Sequence, residues 1–256
     1  MTMSAIFIVG LILSAAIGVS LGLIGGGGSI LTVPILVYFL GVGVHEAVVM
    51  SLAVVGATSL FGAFLHWRRQ NVDLRRGVMF GAAGVVGAFI GSPLTKMVPP
   101  NVLLMIFGLL MFVVAVSMLW RRNRRPDDDV KKAAHPVKAV FAGLGVGIMT
   151  GFLGVGGGFL IVPALVFFGG LEMKKAIGTS LFVIFLNCVA GLAGHLGGEY
   201  FNWGLAFIVT ALAVGGAAAG TVLSHRMAAH RLQRIFAVLV LAVAVFLIVK
   251  NYTVLV

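Results

Sequence analysis

The sequence predicts an all-α, multi-pass membrane protein made of two inverted-topology repeats, each a glycine-turned helical hairpin plus three transmembrane helices. Three observations carry the prediction. Of the 256 residues, 61% are hydrophobic and 10% charged, with a mean hydropathy of +1.16, whereas a soluble domain needs roughly a quarter of its residues charged to cover its surface. Apolar runs of about 20 residues, the length a helix needs to cross a bilayer core of about 30 Å, recur along the chain. The second half also repeats the first at a fixed offset of 129 residues.

The elements follow in order. Residues 4-24 are apolar and run into the glycine cluster Gly25 to Gly28, after which 29-41 is a short apolar stretch. As helix that stretch reaches only roughly 20 Å, too short to span, so 4-41 reads as a re-entrant or tightly folded hairpin. Uncharged spans are expected at 46-66, 77-97 and 101-120, completing a first repeat at 1-120. The segment 121-136, RRNRRPDDDVKKAAHP, is a polar linker. The second repeat, 137-256, begins with 137-153, turns at Gly154 to Gly158 and returns over 159-170; spans follow at 176-195, 204-224 and 232-249.

The repeat is ungapped over roughly ninety residues, too long to arise from bias toward Gly and Leu. It sets Gly18 on Gly147, Gly25 on Gly154, Gly28 on Gly157, Pro34 on Pro163, Ser51 on Ser180, Gly62 on Gly191, His66 on His195 and Gly87 on Gly216. Lys and Arg accumulate in cytoplasmic loops. The loop with Arg68, Arg69, Arg75 and Arg76, the linker, Lys174 and Lys175, and Arg226, Arg231 and Arg234 are therefore expected inside. The repeat mate of the first loop, LGGEYFNWGL at 196-205, has no Lys or Arg and is expected outside, which inverts one half relative to the other. Both termini are then expected outside and the linker in the cytoplasm.

Composition also narrows the function. Cys188 is the single cysteine, which excludes a disulfide scaffold, and the net charge of +11 lies between hydrophobic runs rather than on a nucleic-acid-binding domain. No cleavable signal peptide is expected, because Met1 to Ala5 lacks a basic n-region. The glycine clusters lack the Lys-Ser/Thr of a P-loop, no zinc or hydrolase motif occurs, and neither a catalytic centre, a cofactor nor a metal site is expected. The acidic residues Glu46, Asp73, Asp127, Asp128, Asp129, Glu172 and Glu199 all fall in loops or at span ends. A cation carrier usually places a carboxylate in mid-span, so the expected partners are the lipid bilayer and a small anionic substrate.

An anion needs N–H donors and positive potential, which the free amides and dipole of a helix N-terminus supply. The candidate binding residues are therefore Gly25, Gly26, Gly27, Gly28 and Ser29 in the first half, and Gly154, Gly156, Gly157 and Gly158 in the second. Two such helix starts meeting near the midplane would make one site; alternatively, the glycines serve close helix packing. On the following span Ser51, Thr58 and Gly62 share one helical face, repeated by Ser180, Asn187 and Gly191. Ser51, Thr58, Ser180 and Asn187 either line the cavity or hydrogen-bond between helices. His66 and His195 are candidates for a gate or proton relay, or are interfacial histidines. A permease for a metal cation or neutral solute would instead draw on Met50, Met149 and Cys188, and a non-transporting membrane assembly partner would move nothing at all.

At GLIGGGGSILTVPIL (22-36) and GFLGVGGGFLIVPAL (151-165), each followed by A-x-x-x-S-L (Ala47 to Leu52, Ala176 to Leu181) and a span ending near His66 or His195, the chain resembles the TauE/SafE sulfite exporter family. The resemblance covers essentially the whole chain. It implies a secondary transporter or facilitator for sulfite, sulfoacetate or organosulfonates, commonly an exporter, in a bacterial inner membrane. The halves differ at Val155 against Gly26 and Gly158 against Ser29, so the two half-sites need not contribute equally.

Overall fold

The computed structural model describes residues 2–95, 100–120, 136–153, 158–193 and 202–251, and every regular element in them is helical. The first half holds α1 (Thr2–Ile24), α2 (Gly27–Tyr38), α3 (Val44–Trp67), α4 (Leu74–Thr95) and α5 (Pro100–Trp120). The second holds α6 (Pro136–Leu153), α7 (Gly158–Phe167), α8 (Met173–Ala193), α9 (Trp203–Arg226) and α10 (Ala229–Asn251). The linker lies outside the described residues but for Pro136, where α6 begins.

Four helices are long and apolar enough to cross a bilayer by length and composition: Ile6–Ile24, Val49–Trp67, Met173–Leu192 and Trp203–Arg226. The expected spans at 101-120 and 232-249, and the described part of 77-97, are also helices, α5, α10 and α4, outside the four that are long and apolar enough by that measure. As the apolar run at 4-24 and the short stretch at 29-41 predict, the two helices around Gly25 are unequal. Nothing interrupts α1 before Gly25, so it reaches span length, whereas α2 has 12 residues and α7 has 10. At 1.5 Å per residue those two helices cover about 18 and 15 Å, half a bilayer. Phe89, Trp120 and Phe207, 85%, 86% and 75% exposed, turn apolar surface outward, as lipid contact requires.

Backbone approach organises the bundle. In lipid there is no hydrophobic drive between helices, so association depends on small residues that let backbones touch. Gly18 and Gly22 of α1 lie on the carbonyls of Ala213 and Ala217, while Gly216 and Gly220 of α9 lie on those of Ala15 and Val19. At the 129-residue offset the same contacts recur between α6 and α4, where Gly147 lies on the Gly84 carbonyl and Gly87 on that of Leu144. Each of these two seams therefore joins a helix of one half to a helix of the other, and in each the two helices run parallel.

The α3–α8 contact is antiparallel and reciprocal. A methyl group on Gly62 would lie 3.1 Å from Leu181 Cδ1, and one on Gly191 would lie 3.3 Å from Leu52 Cδ1. Helices α3 and α9 start together, where the Asn202 amide donates to Glu46 Oε1 (2.9 Å), and end together at His66 and His225. Helix α4 runs alongside α8, with Gly77 against Thr179 and Phe182 and Gly81 against Val183 and Leu186. Thus α1, α3 and α9 point one way and α4, α6 and α8 the other. The main apolar core lies among α5, α7, α8 and α10, around Met111, Met118, Ile161, Leu165, Ile177 and Phe236. There Gln233 Nε2 donates to the Met118 carbonyl at 2.8 Å.

Candidate functional site

The site begins at the break between α1 and α2. Gly25 has φ +87°, a left-handed value that a side chain disfavours, and its amide still closes the last turn of α1 on the Leu21 carbonyl (2.8 Å). A methyl group there would also lie 2.5 Å from Ser180 Oγ and 3.1 Å from the Ile177 carbonyl. Gly25 thus meets two needs, a turn only glycine makes easily and direct apposition to α8. Gly26 caps α2 with no side-chain acceptor. The first-turn amides of Gly27, Gly28 and Ser29 have no carbonyl one turn back in their own helix. Beside them, Ser20 Oγ, 3.4 Å from where a Gly27 methyl would sit, is buried without a hydrogen-bond partner.

The second short helix starts against the first. A methyl on Gly158, the first residue of α7, would lie 2.6 Å from Ser29 Oγ, 3.0 Å from Ile184 Cδ1 and 3.3 Å from the Gly26 carbonyl. Ser29 Oγ donates to that carbonyl at 2.8 Å. The two starts are staggered along the bundle: Gly25 is level with Ile177 and Ser180 near the beginning of α8, and Gly158 with Ile184 farther on. Gly154, Gly156 and Gly157 lie outside the described residues.

The polar face expected on the span after each hairpin is buried. Ser51 and Thr58 on α3 and Ser180 on α8 are 9%, 0% and 0% exposed. Ser180 Oγ donates to the Ile177 carbonyl at 2.8 Å. Thr58 Oγ1 and Asn187 Oδ1 have no partner, and neither does Ser59 Oγ, which the sequence did not single out. Each is a buried polar atom able to bond a solute or water. Ser180 joins the glycine turn directly; Ser51, Thr58 and Asn187 lie elsewhere on the α3–α8 pair.

His66, at the end of α3, is 1% exposed and donates from Nε2 to the Gly22 carbonyl (3.2 Å), one turn of α1 before Gly25. Its repeat mate His195 lies outside the described residues. Its neighbour is His225 of α9, with ring centroids 5.0 Å apart. His225 is bonded in turn by Asn71 Nδ2 at Nδ1 (3.3 Å) and by Lys174 Nζ at its carbonyl (3.2 Å). Sequence reasoning missed this group, because the repeat mate of His225 is Lys96 and no symmetry marks the position.

The residues weighed for cation binding lie on three helices, α3, α6 and α8. Met50 is wholly buried, Met149 is 38% exposed, and Cys188 packs on Gly56. Among the described residues no group of three or more His, Cys, Asp or Glu is placed to hold a metal.

The family model described as Sulfite exporter TauE/SafE matches residues 10–247. A probable membrane transporter protein of Xylella fastidiosa is 35% identical over 243 residues, covering 92% of each chain. The probable membrane transporter protein YunE of Bacillus subtilis is 26% identical over 268 residues, covering 96% of this chain and 98% of its own. A probable membrane transporter protein of Methanocaldococcus jannaschii is 28% identical over 212 residues, covering 79% of this chain and 78% of its own. No solved structure matches.

Proposed function

Because the chain belongs to the TauE/SafE sulfite exporter family of membrane transporters, we propose that its cargo is a small sulfur-containing oxyanion, sulfite, sulfoacetate or an organosulfonate. The anion binds to amides at the glycine-opened starts of α2 and α7, with Ser29, Ser51, Thr58, Ser180 and Asn187 as hydrogen-bonding groups. The observation that carries this reading is the packing of Gly158, where α7 begins, on Ser29 and the Gly26 carbonyl, where α2 begins. Two helix N-termini at one place sum their positive ends, and an anion is the charge they favour.

The architecture we propose is a pair of inverted repeats, 1-120 and 137-256, joined by the linker. The antiparallel α3 and α8, with Gly62 on Leu181 answered by Gly191 on Leu52, support it. Rocking of one set of helices on the other gives alternating access to a site between them. The protein sits in the bacterial inner membrane with its linker in the cytoplasm and both termini outside, and works as an exporter. The basic residues gathered at one end of α3 and α9 support that orientation.

Flux of sulfite and organosulfonates through purified protein in liposomes is the test. The expected result is saturable movement that Gly158→Val abolishes. Movement or binding of a divalent cation, with none of the sulfur oxyanions, would overturn the reading.

A further inference from the structure

The polar group beside the glycine turn has a property that anion binding alone does not use. His66 Nε2 faces a carbonyl, which only accepts, so Nε2 carries the hydrogen and Nδ1 is a bare acceptor. His225 Nδ1 accepts from Asn71 Nδ2, so its Nε2 carries the hydrogen. His66 Nδ1 and His225 Nε2 are both buried and both without a partner. An unused acceptor and an unused donor thus sit on rings whose centres are 5.0 Å apart. Nearby, Thr221 Oγ1 is a third orphaned atom, on the turn of α9 that packs against Gly22.

The charges around the pair have one sign. Arg69 follows α3, Lys174 opens α8 and bonds the His225 carbonyl, and Arg226 follows His225 in α9. Helix α1, which supplies the Gly22 carbonyl, has no charged residue. Asp73, the acid of the loop between α3 and α4, is engaged by Arg76, with Oδ2 3.5 Å from Nε. Among the described residues, the charges that act on the pair, Arg69 and Lys174, are cations. An anion at the glycine turn, about one turn of α1 away, supplies the missing negative charge.

We propose that His66 and His225 form a proton-binding pair that couples occupation of the anion site at Gly25 to Ser29 with uptake of a proton. The inference rests on the anion reading of the glycine turns. The proton comes from water and bonds to His66 Nδ1, while Nε2–H stays on the Gly22 carbonyl; His225 shifts its own hydrogen to Nδ1, where the Asn71 amide turns to accept it through Oδ1, and the freed His225 Nε2 accepts from His66 Nδ1–H, so protonation ties α9 to the turn of α1 that precedes Gly25. Linkage is reciprocal: the anion favours the proton and the proton favours the anion by the same factor.

Calorimetric titration of the purified protein with methanesulfonate tests the pair. This ion stays fully ionised, so any proton taken up belongs to the protein; sulfite is titrated in parallel and corrected for its own protonation. Repeating each titration in buffers of different ionisation enthalpy gives protons per anion. The expected uptake approaches about one, with affinity weakening by up to about tenfold per pH unit as pH rises through the titration of the pair. His66→Gln and His225→Gln should each abolish the uptake and flatten the pH dependence; the half-buried His225 provides a variant that spares the tightly packed His66. Binding without uptake, or uptake persisting in either variant, overturns the pair and leaves the anion reading standing. Failure of both anions to bind overturns the anion reading, and the pair with it.

Discussion

Gly25 couples sequence to site most directly. Its φ of +87°, and the 2.5 Å that would separate a methyl group there from Ser180 Oγ, disfavour any side chain. Left-handed backbone alone costs a non-glycine residue about 1–2 kcal/mol, and the collision with α8 adds to it. Gly25→Ala should lower the thermal midpoint in detergent and abolish anion flux. Thr58 argues the other way. Its hydroxyl is buried and bonds nothing, so Thr58→Val should leave stability unchanged or higher by up to about 1 kcal/mol. If that hydroxyl serves the anion, affinity in a binding titration should drop about fivefold, the equivalent of one hydrogen bond. The glycine cluster was legible because a run of such residues before a short apolar stretch has few other uses. His225, Asn71 and Thr221 were not legible, since only the meeting of α1, α3, α8 and α9 brings them to His66.

At the scale of elements, the α1–α9 and α4–α6 seams depend on glycines lying against facing carbonyls. Gly18→Val and Gly147→Val place branched carbons on the carbonyls of Ala213 and Gly84 respectively. Overpacking of this kind costs about 1–3 kcal/mol. Because the two positions are repeat mates, the losses in thermal midpoint should be of similar size. Gly145 and Gly215 sit on the same helices, α6 and α9, with nothing near a would-be Cβ. There Gly→Ala should be neutral or stabilise by about 0.5–1 kcal/mol, since helical glycine costs that much relative to alanine. Equal losses at all four positions would show that helix propensity rather than backbone approach governs these glycines. Helices α2 and α7 follow a separate logic: each is too short to span, and Gly27 and Gly28 at the start of α2 and Gly158 at the start of α7 are buried in the bundle.

For the molecule as a whole, the relevant quantity is the charge moved per cycle. An anion carried alone across 100 mV is biased by about 2.3 kcal/mol per charge. If a proton accompanies a monovalent sulfonate, the cycle is electroneutral, and export runs on the outward gradient of the anion, opposed by any inward proton gradient. A diffusion potential imposed on proteoliposomes should then leave its flux nearly unchanged, while a pH gradient drives it. A strong response to potential with none to pH would mean that the proton does not travel with the anion.

Hydropathy and the 129-residue register determined a great deal alone: the apolar composition that calls for a bilayer, the approximate extents of the described helices, and the glycine break at Gly25. Those features are local or periodic, set by residues adjacent in sequence or one helical turn apart. Which helices meet was decided only in three dimensions. The register makes α1 equivalent to α6 but does not say that α1 lies on α9, because small-residue faces recur on several helices and many pairings would satisfy them. The stagger of the two helix starts, the reciprocal contact of α3 with α8 and the joining of His66 to His225 all follow from that choice. Each depends on where backbones can approach within contact distance, a property of pairs of helices and of no single stretch of chain.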